Sequence, residues 1–228
     1  MQNAMMPGPT DQRDRDGSVQ PVDLAARLAA RLCHDFISPA SAIVSGLDLI
    51  EDPEQQDMRE EAMALIASSA RKLAALLSFS RIAFGGSAAS ESFDVRELER
   101  LTRDLFQHVR AELDWASEVA ALDKPAARVI LNLAQLGAVA LPVGGKAVVR
   151  VSTGPGEGLQ LLLDAQGPRA RLRPEAVDGL EGRPFGEGLG GQWVQTYFLR
   201  SIVDQAGGSM QLEVLEEAVK VRVELPPQ

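Results

Sequence analysis

From Pro21 to Phe84, apolar residues recur at helical spacing in two runs, broken once at Glu51-Asp52-Pro53. Leu24, Leu28, Leu32, Phe36, Ile43, Leu47 and Ile50 suit one face of a first helix. Met58, Ala62, Leu65, Ile66, Ser69, Leu73, Leu76, Leu77 and Ser80 follow the same period in a second. Proline has no amide proton and drives its predecessor towards extended backbone, so the break is a turn. Gly85-Gly86 ends the second run. The pattern predicts a helical hairpin over residues 21–86. Two helices enclose no core, and each carries more apolar surface than one partner covers. A second copy supplies the missing faces, so the expected assembly is a homodimer built on a four-helix bundle.

The flanking segments read differently. Residues 1–20 are polar, rich in Pro, Gly and alternating charge, and are expected to be a disordered tail. Ser87 to Ser92 is small and polar, a linker. Residues 94–108 have a helical period with Asp94 as N-cap, and 124–141 form a more buried helical pattern. Two β-rich runs follow, Ala147–Ser152 and Leu159–Leu163, separated by the turn sequence TGPGEG. Residues 165–191, rich in Gly, Pro and Arg, read as a long loop. Residues 192–206 read as helix, and Met210–Leu215 with Val219–Leu225 as a hairpin. The expected fold class is α+β: the hairpin, then an α/β sandwich over residues 91–228.

Composition limits the function. There are 23 basic and 32 acidic residues, for a net charge of −9, which disfavours nucleic acid as a partner. The single cysteine, Cys33, allows no internal disulfide and fits a reducing compartment. No apolar stretch of about 18 residues is evident, and no basic segment followed by an apolar one opens the chain. The expectation is a cytoplasmic protein without a membrane span.

The chain has two histidines. His34 lies about 160° around the helix from both Leu32 and Phe36 at roughly 100° per residue, so it faces solvent. Asp35 follows it, Ser38 lies one turn on, and Pro39 interrupts the helix interior. A neutral imidazole nitrogen is a competent nucleophile near pH 7, and an adjacent carboxylate can orient the ring or take its other proton. On composition alone, an ordinary surface histidine is the commoner reading of His34. His108, near a helix end without such neighbours, reads as a capping or surface residue. Cys33 reads as packed in the bundle.

The string HDFISPASAI resembles the phosphoacceptor box of two-component histidine kinases: histidine, an acid at +1, an apolar residue at +2, Ser at +4, Pro at +5 and Ile at +9. Ile37 replaces a basic residue and Ala40 a leucine. The resemblance extends downstream in a damaged form. RVILNLAQLGAVAL resembles the kinase N-box, with Asn132 matching its first asparagine and Leu136 standing where the Mg²⁺-holding second one belongs. LLLDAQGPRA resembles the adenine-reading box; Asp164 matches, but the glycine spacing is altered and Arg169 and Arg171 crowd it. IVDQAGG resembles the end of the last box, whose opening glycines fall on Trp193-Val194-Gln195-Thr196. GEGLGG, residues 186–191, is an alternative, displaced phosphate loop.

An intact acceptor box with a degenerate nucleotide domain resembles the dimeric histidine phosphotransferases of the ChpT type, over about residues 21–226. That family implies a Bergerat-type sandwich after the hairpin. It implies a phosphoryl carrier in a cell-cycle phosphorelay, loaded by the receiver domain of a hybrid histidine kinase and discharged onto CtrA-like response regulators. It implies no ATP and no cofactor or metal on this chain, the Mg²⁺ of transfer belonging to the receiver. Carried onto this sequence, His34 is the phosphoacceptor, with Asp35 and Ser38 beside it as catalytic candidates. Arg31, Ile37 and Phe36 are partner-binding candidates, with solvated surface charge as the ordinary alternative for Arg31 and core packing as the stronger one for Phe36. An active histidine kinase with a divergent nucleotide site, and a non-catalytic dimeric interaction protein, are the competing functions.

Overall fold

The computed structural model describes residues 19–85, 91–183 and 191–227. The tail up to residue 18, most of the linker and five residues of GEGLGG lie outside them.

The first helix, α1, spans Pro21–Glu51 and carries Pro39 in its interior. Asp52 ends it and accepts from the Glu54 amide at 2.9 Å, starting the 3₁₀ turn Pro53–Met58. The second helix, α2 (Arg59–Ala83), returns antiparallel along α1. Gly46 lets the two backbones close: a Cβ there would lie 2.7 Å from Ile66 Cγ1 and 3.2 Å from the Ala62 carbonyl. The hairpin expected from the apolar period is present. Its apolar surface is incompletely covered: Ile37, Val44, Leu47, Met63 and Leu77 remain exposed.

By composition and length, the helical segment Pro53–Ala83 is apolar enough to cross a bilayer, contrary to the expectation that no such stretch exists. Its alternating small and polar residues hid that from a search for an unbroken apolar run. It packs along α1, and its last turn enters the protein core through Phe79, Ile82 and Ala83.

The remainder is a sheet covered on one face by helices. β1 (Ser92–Asp94) and β3 (Ala121–Asp123) pair antiparallel, and each ends on an aspartate that caps the following helix. Asp94 accepts from the Arg96 amide at 2.8 Å to start α3 (Val95–Phe106), and Asp123 from the Ala126 amide at 3.0 Å to start α4 (Lys124–Ala140). The five-stranded sheet runs β2-β4-β5-β7-β6. β2 (Ala111–Ser117) lies parallel to β4 (Gly145–Thr153); β5 (Leu159–Gln166), β7 (Ala218–Leu225) and β6 (Ser209–Val214) continue antiparallel. Alternate residues Ala147, Val149, Val151, Leu161, Leu163, Val219, Val221 and Val223 face the helices and are buried, as a half-solvated sheet requires. Gly137 lets α4 settle on it, since a Cβ there would sit 2.7 Å from Leu163 Cδ1.

The segment 165–191, expected as a loop, contains the helix α5 (Pro174–Leu180), with proline at its start. It packs on α6 (Gly191–Gln205) with no room between them: a Cβ on Gly179 would lie 2.1 Å from Thr196 Oγ1.

Candidate functional site

His34 projects from the middle of α1 with 85% of its side chain exposed, as the angular argument requires. Asp35 is less open, at 25%, and its Oδ1 lies 3.6 Å from His34 Nδ1. That separation is too long for a hydrogen bond and short enough for a small rotation of an exposed ring to close. Ser38 is exposed one turn on, and Pro39 is buried behind it. Lacking an amide proton, Pro39 removes the helical bond that would reach the Asp35 carbonyl.

Two flanking expectations meet different outcomes. Ile37 is 63% exposed and lies about 60° from His34 around the helix, as a contact for a docking partner would. Phe36 is half-buried, consistent with its packing alternative. Cys33, expected to be packed, is exposed on the single chain, because it lies off the stripe that meets α2.

Arg31 is the largest departure. Expected as surface charge available to a partner, it is only 16% exposed and committed within the chain. Its Nε donates to Asp35 Oδ2 at 2.9 Å, and its Nη1 donates to the carbonyl of Gly191, the first residue of α6. A second link lies at the start of the helix, where the Val19 amide donates to the Tyr197 hydroxyl at 3.3 Å. Sequence spacing showed Arg31 and Asp35 one turn apart; nothing in it showed α6 reaching Arg31.

The positions that match the opening of the last kinase box are packed inside the protein. Trp193, Val194, Gln195 and Thr196 are all buried. Trp193 stacks on Tyr197 with ring centroids 4.7 Å apart, and its Nε1 donates to the Arg183 carbonyl at 3.1 Å. Gln195 Nε2 donates to Gln135 Oε1 at 2.8 Å, and Thr196 Oγ1 to the Trp193 carbonyl at 3.0 Å. A phosphate site of this kind uses glycines that let backbone amides approach it, and these positions carry buried, hydrogen-bonded side chains instead. Leu136, at the Mg²⁺-ligand position, is buried hydrocarbon.

Asn132 survives with a structural task. Its Nδ2 donates to the Ala83 carbonyl at 3.0 Å and the Arg128 carbonyl at 2.9 Å, while its buried Oδ1 has no partner among the described residues. The last carbonyls of a helix lack intrahelical donors, so Asn132 caps the end of α2 from α4. Arg128 lies against the same joint, its Nη2 2.2 Å from where a Cβ on Gly85 would stand; burial lowers its pKa from the ordinary value. Asp164 pairs with Lys220 at 3.6 Å and accepts from Gln166 Nε2 at 2.9 Å. His108 lies half-buried in the turn after α3, away from these groups.

Comparison with known proteins agrees with this anatomy. Residues 95–218 match the model of the histidine phosphotransferase C-terminal domain. A protein phosphotransferase ChpT from Brucella abortus (strain 2308) is 32% identical over 199 residues, covering 87% of this chain and 93% of that protein. A bacterial phosphotransferase solved at 1.7 Å superposes with TM-score 0.80 at 31% identity, over 90% of this chain and 98% of that one. The histidine kinase domain of a blue-light-activated kinase from Erythrobacter litoralis aligns at 13% identity and TM-score 0.46, over 83% of this chain and 95% of that one.

Proposed function

The chain belongs to the histidine phosphotransferase family, and from that premise we propose that it carries a phosphoryl group on His34 between receiver-domain aspartates, without using ATP. The observation that carries the reading is His34 itself: a fully presented imidazole on a rigid helix, with a carboxylate 3.6 Å from its Nδ1. A whole receiver must reach this nitrogen, so exposure is a requirement of the reaction.

In the forward step, the His34 Nε2 lone pair attacks the phosphorus of an aspartyl phosphate. The N–P bond forms, the P–O bond breaks, and the electron pair leaves with the receiver's carboxylate. The ring becomes a cation retaining its Nδ1 proton, and Asp35 stabilises that charge or accepts the proton. Discharge onto a second receiver is the reverse. Ser38 faces the same docking space, and Ile37 offers it an apolar contact. The Mg²⁺ of transfer is a receiver ligand, consistent with Leu136 replacing an oxygen donor here.

The donor is the receiver of a hybrid histidine kinase and the acceptors are CtrA-like response regulators in a cytoplasmic cell-cycle relay, as the family resemblance implies. The active form is a homodimer. Met63, Ala70 and Leu77 are exposed at seven-residue intervals on α2, the spacing of a bundle seam, and Val44 and Leu47 extend the apolar surface on α1. The hairpin over 21–86 makes the bundle, and the sandwich over 91–228 supports it.

The test is phosphoryl uptake from a charged receiver domain, freed of ATP, by the wild type and by His34→Ala. Uptake by the wild type alone is expected. Equal labelling of His34→Ala would remove His34 from the mechanism.

A further inference from the structure

We propose that Arg31 is a positioning residue that sets His34 for transfer by holding Asp35, and that it is itself held by the backbone of α6. The inference rests on the reading of His34 as acceptor and goes beyond it. It assigns work to the helix that carries Trp193 and Gln195 where the kinase box has glycines.

Three observations converge. Arg31 lies one turn before Asp35 and its Nε binds Oδ2 at 2.9 Å, which leaves Oδ1 as the oxygen turned to His34 Nδ1. Its other end donates to the Gly191 carbonyl, so the guanidinium is anchored on two sides and shielded from water. Tyr197 of the same helix receives the Val19 amide, so α1 is fastened to α6 again ahead of its first turn. α6 is in turn tied to α4 by the hydrogen bond from Gln195 Nε2 to Gln135 Oε1, beside the buried Trp193.

The chemical consequence concerns the ring. A carboxylate facing Nδ1 favours the tautomer with its proton on Nδ1, which leaves the Nε2 lone pair free for the phosphorus. A free aspartate on an exposed helix face samples several rotamers, most of which do not face the ring. Arg31 removes that freedom. A planar fork can bind Oδ2 and the Gly191 carbonyl together, whereas a lysine has reach and charge without that geometry. Arg31 thus acts through Asp35 and α6, and does not touch the receiver.

The experiment compares full-length wild type, Arg31→Ala and Arg31→Lys. Uptake from a phosphorylated receiver is measured against receiver concentration. The ring tautomer is read by ¹⁵N NMR above the ordinary imidazole titration range, with His108 as internal control. For Arg31→Ala, the saturating rate is expected to fall about tenfold with an unchanged half-saturating receiver concentration, since a small misplacement at a reacting group is costly. The His34 signal should move towards the Nε2–H tautomer while His108 stays in place. Arg31→Lys keeps the charge without the fork, so it should recover the tautomer preference and the rate only in part. A raised half-saturating concentration with an unchanged saturating rate and tautomer would make Arg31 a receiver contact and overturn the proposal. A rate loss with the wild-type tautomer, unrelieved by lysine, would overturn it in favour of a structural role. A wild type that takes up no phosphoryl group, with the tautomer shift present, would fault the reading of His34 and leave the positioning intact.

Discussion

Replacing Asn132 with aspartate should damage this protein more than replacing it with alanine, and the structure fixes both the order and the rough size. Asn132 is fully buried, and its Nδ2 gives the Ala83 carbonyl a donor across the joint between α2 and α4. Alanine removes that donor and strands a carbonyl at the end of α2, at a cost of about 1–3 kcal/mol. The contact to Arg128 adds little, because that carbonyl already lies within the helical ladder of α4. The unpartnered Oδ1 is lost as well, which offsets part of the cost. Aspartate instead sets a carboxylate oxygen against the carbonyl and buries its charge, for about 3–5 kcal/mol. Burial raises the folded-state pKa of such a carboxyl above its unfolded value. The folded state then holds the extra proton, and stability falls as pH rises between the two values. Urea unfolding followed by circular dichroism at several pH values gives the measurement. Aspartate within about 1 kcal/mol of alanine at neutral pH, or a penalty independent of pH, would refute the capping role, given how much one unpaired buried charge costs.

Three further outcomes follow from the same structure. Trp193→Ala should cost about 3–5 kcal/mol in urea unfolding, because it empties a fully buried ring position, and isothermal titration should find no ATP binding in exchange. Leu77→Glu on the exposed seam of α2 should shift light-scattering mass from dimer to monomer while the circular dichroism spectrum is retained; an unshifted mass would contradict the bundle. Lys146, at 2.7 Å, and then Arg150, at 2.9 Å, hold the Asp114 carboxyl below its ordinary value of 3.8. Because the folded-state pKa is the lower one, this stabilisation is present above the unfolded value and lost as pH falls through the folded one. Asp114→Asn should therefore flatten the acid limb of the stability profile, and an unchanged limb would show that the triad contributes nothing.

What could be read from the sequence depended on period and on local rules. The helices around His34 have long apolar repeats, and Asp94 is a cap that announces itself two residues before its partner amide. The acceptor face followed from angles alone, because His34 and the apolar stripe share one helix. α5 was hidden because seven residues give no period, and glycines and arginines around it resemble loop. β1 and β3, at three residues each, carry no alternation to detect, and β2 owes its place to parallel pairing with β4, a contact between distant segments. The roles of Arg31 and Asn132 were illegible for the same reason. Gly191 lies 160 residues from Arg31 and Ala83 lies 49 from Asn132, so each role exists only once the chain has folded. The last kinase-like box stood between these extremes: Trp and Gln in place of glycine could be read from the sequence, and the structure shows both side chains buried.

The most direct test of the account is to supply the full-length protein separately with ATP–Mg²⁺ and with a phosphorylated receiver domain, and to locate the phosphoryl group by tandem mass spectrometry of acid-labile phosphopeptides. The account predicts phosphohistidine at His34 from the receiver, none from ATP, and loss of the label when a second receiver is added. Phosphohistidine at His34 formed from ATP alone would contradict it and make this chain a kinase.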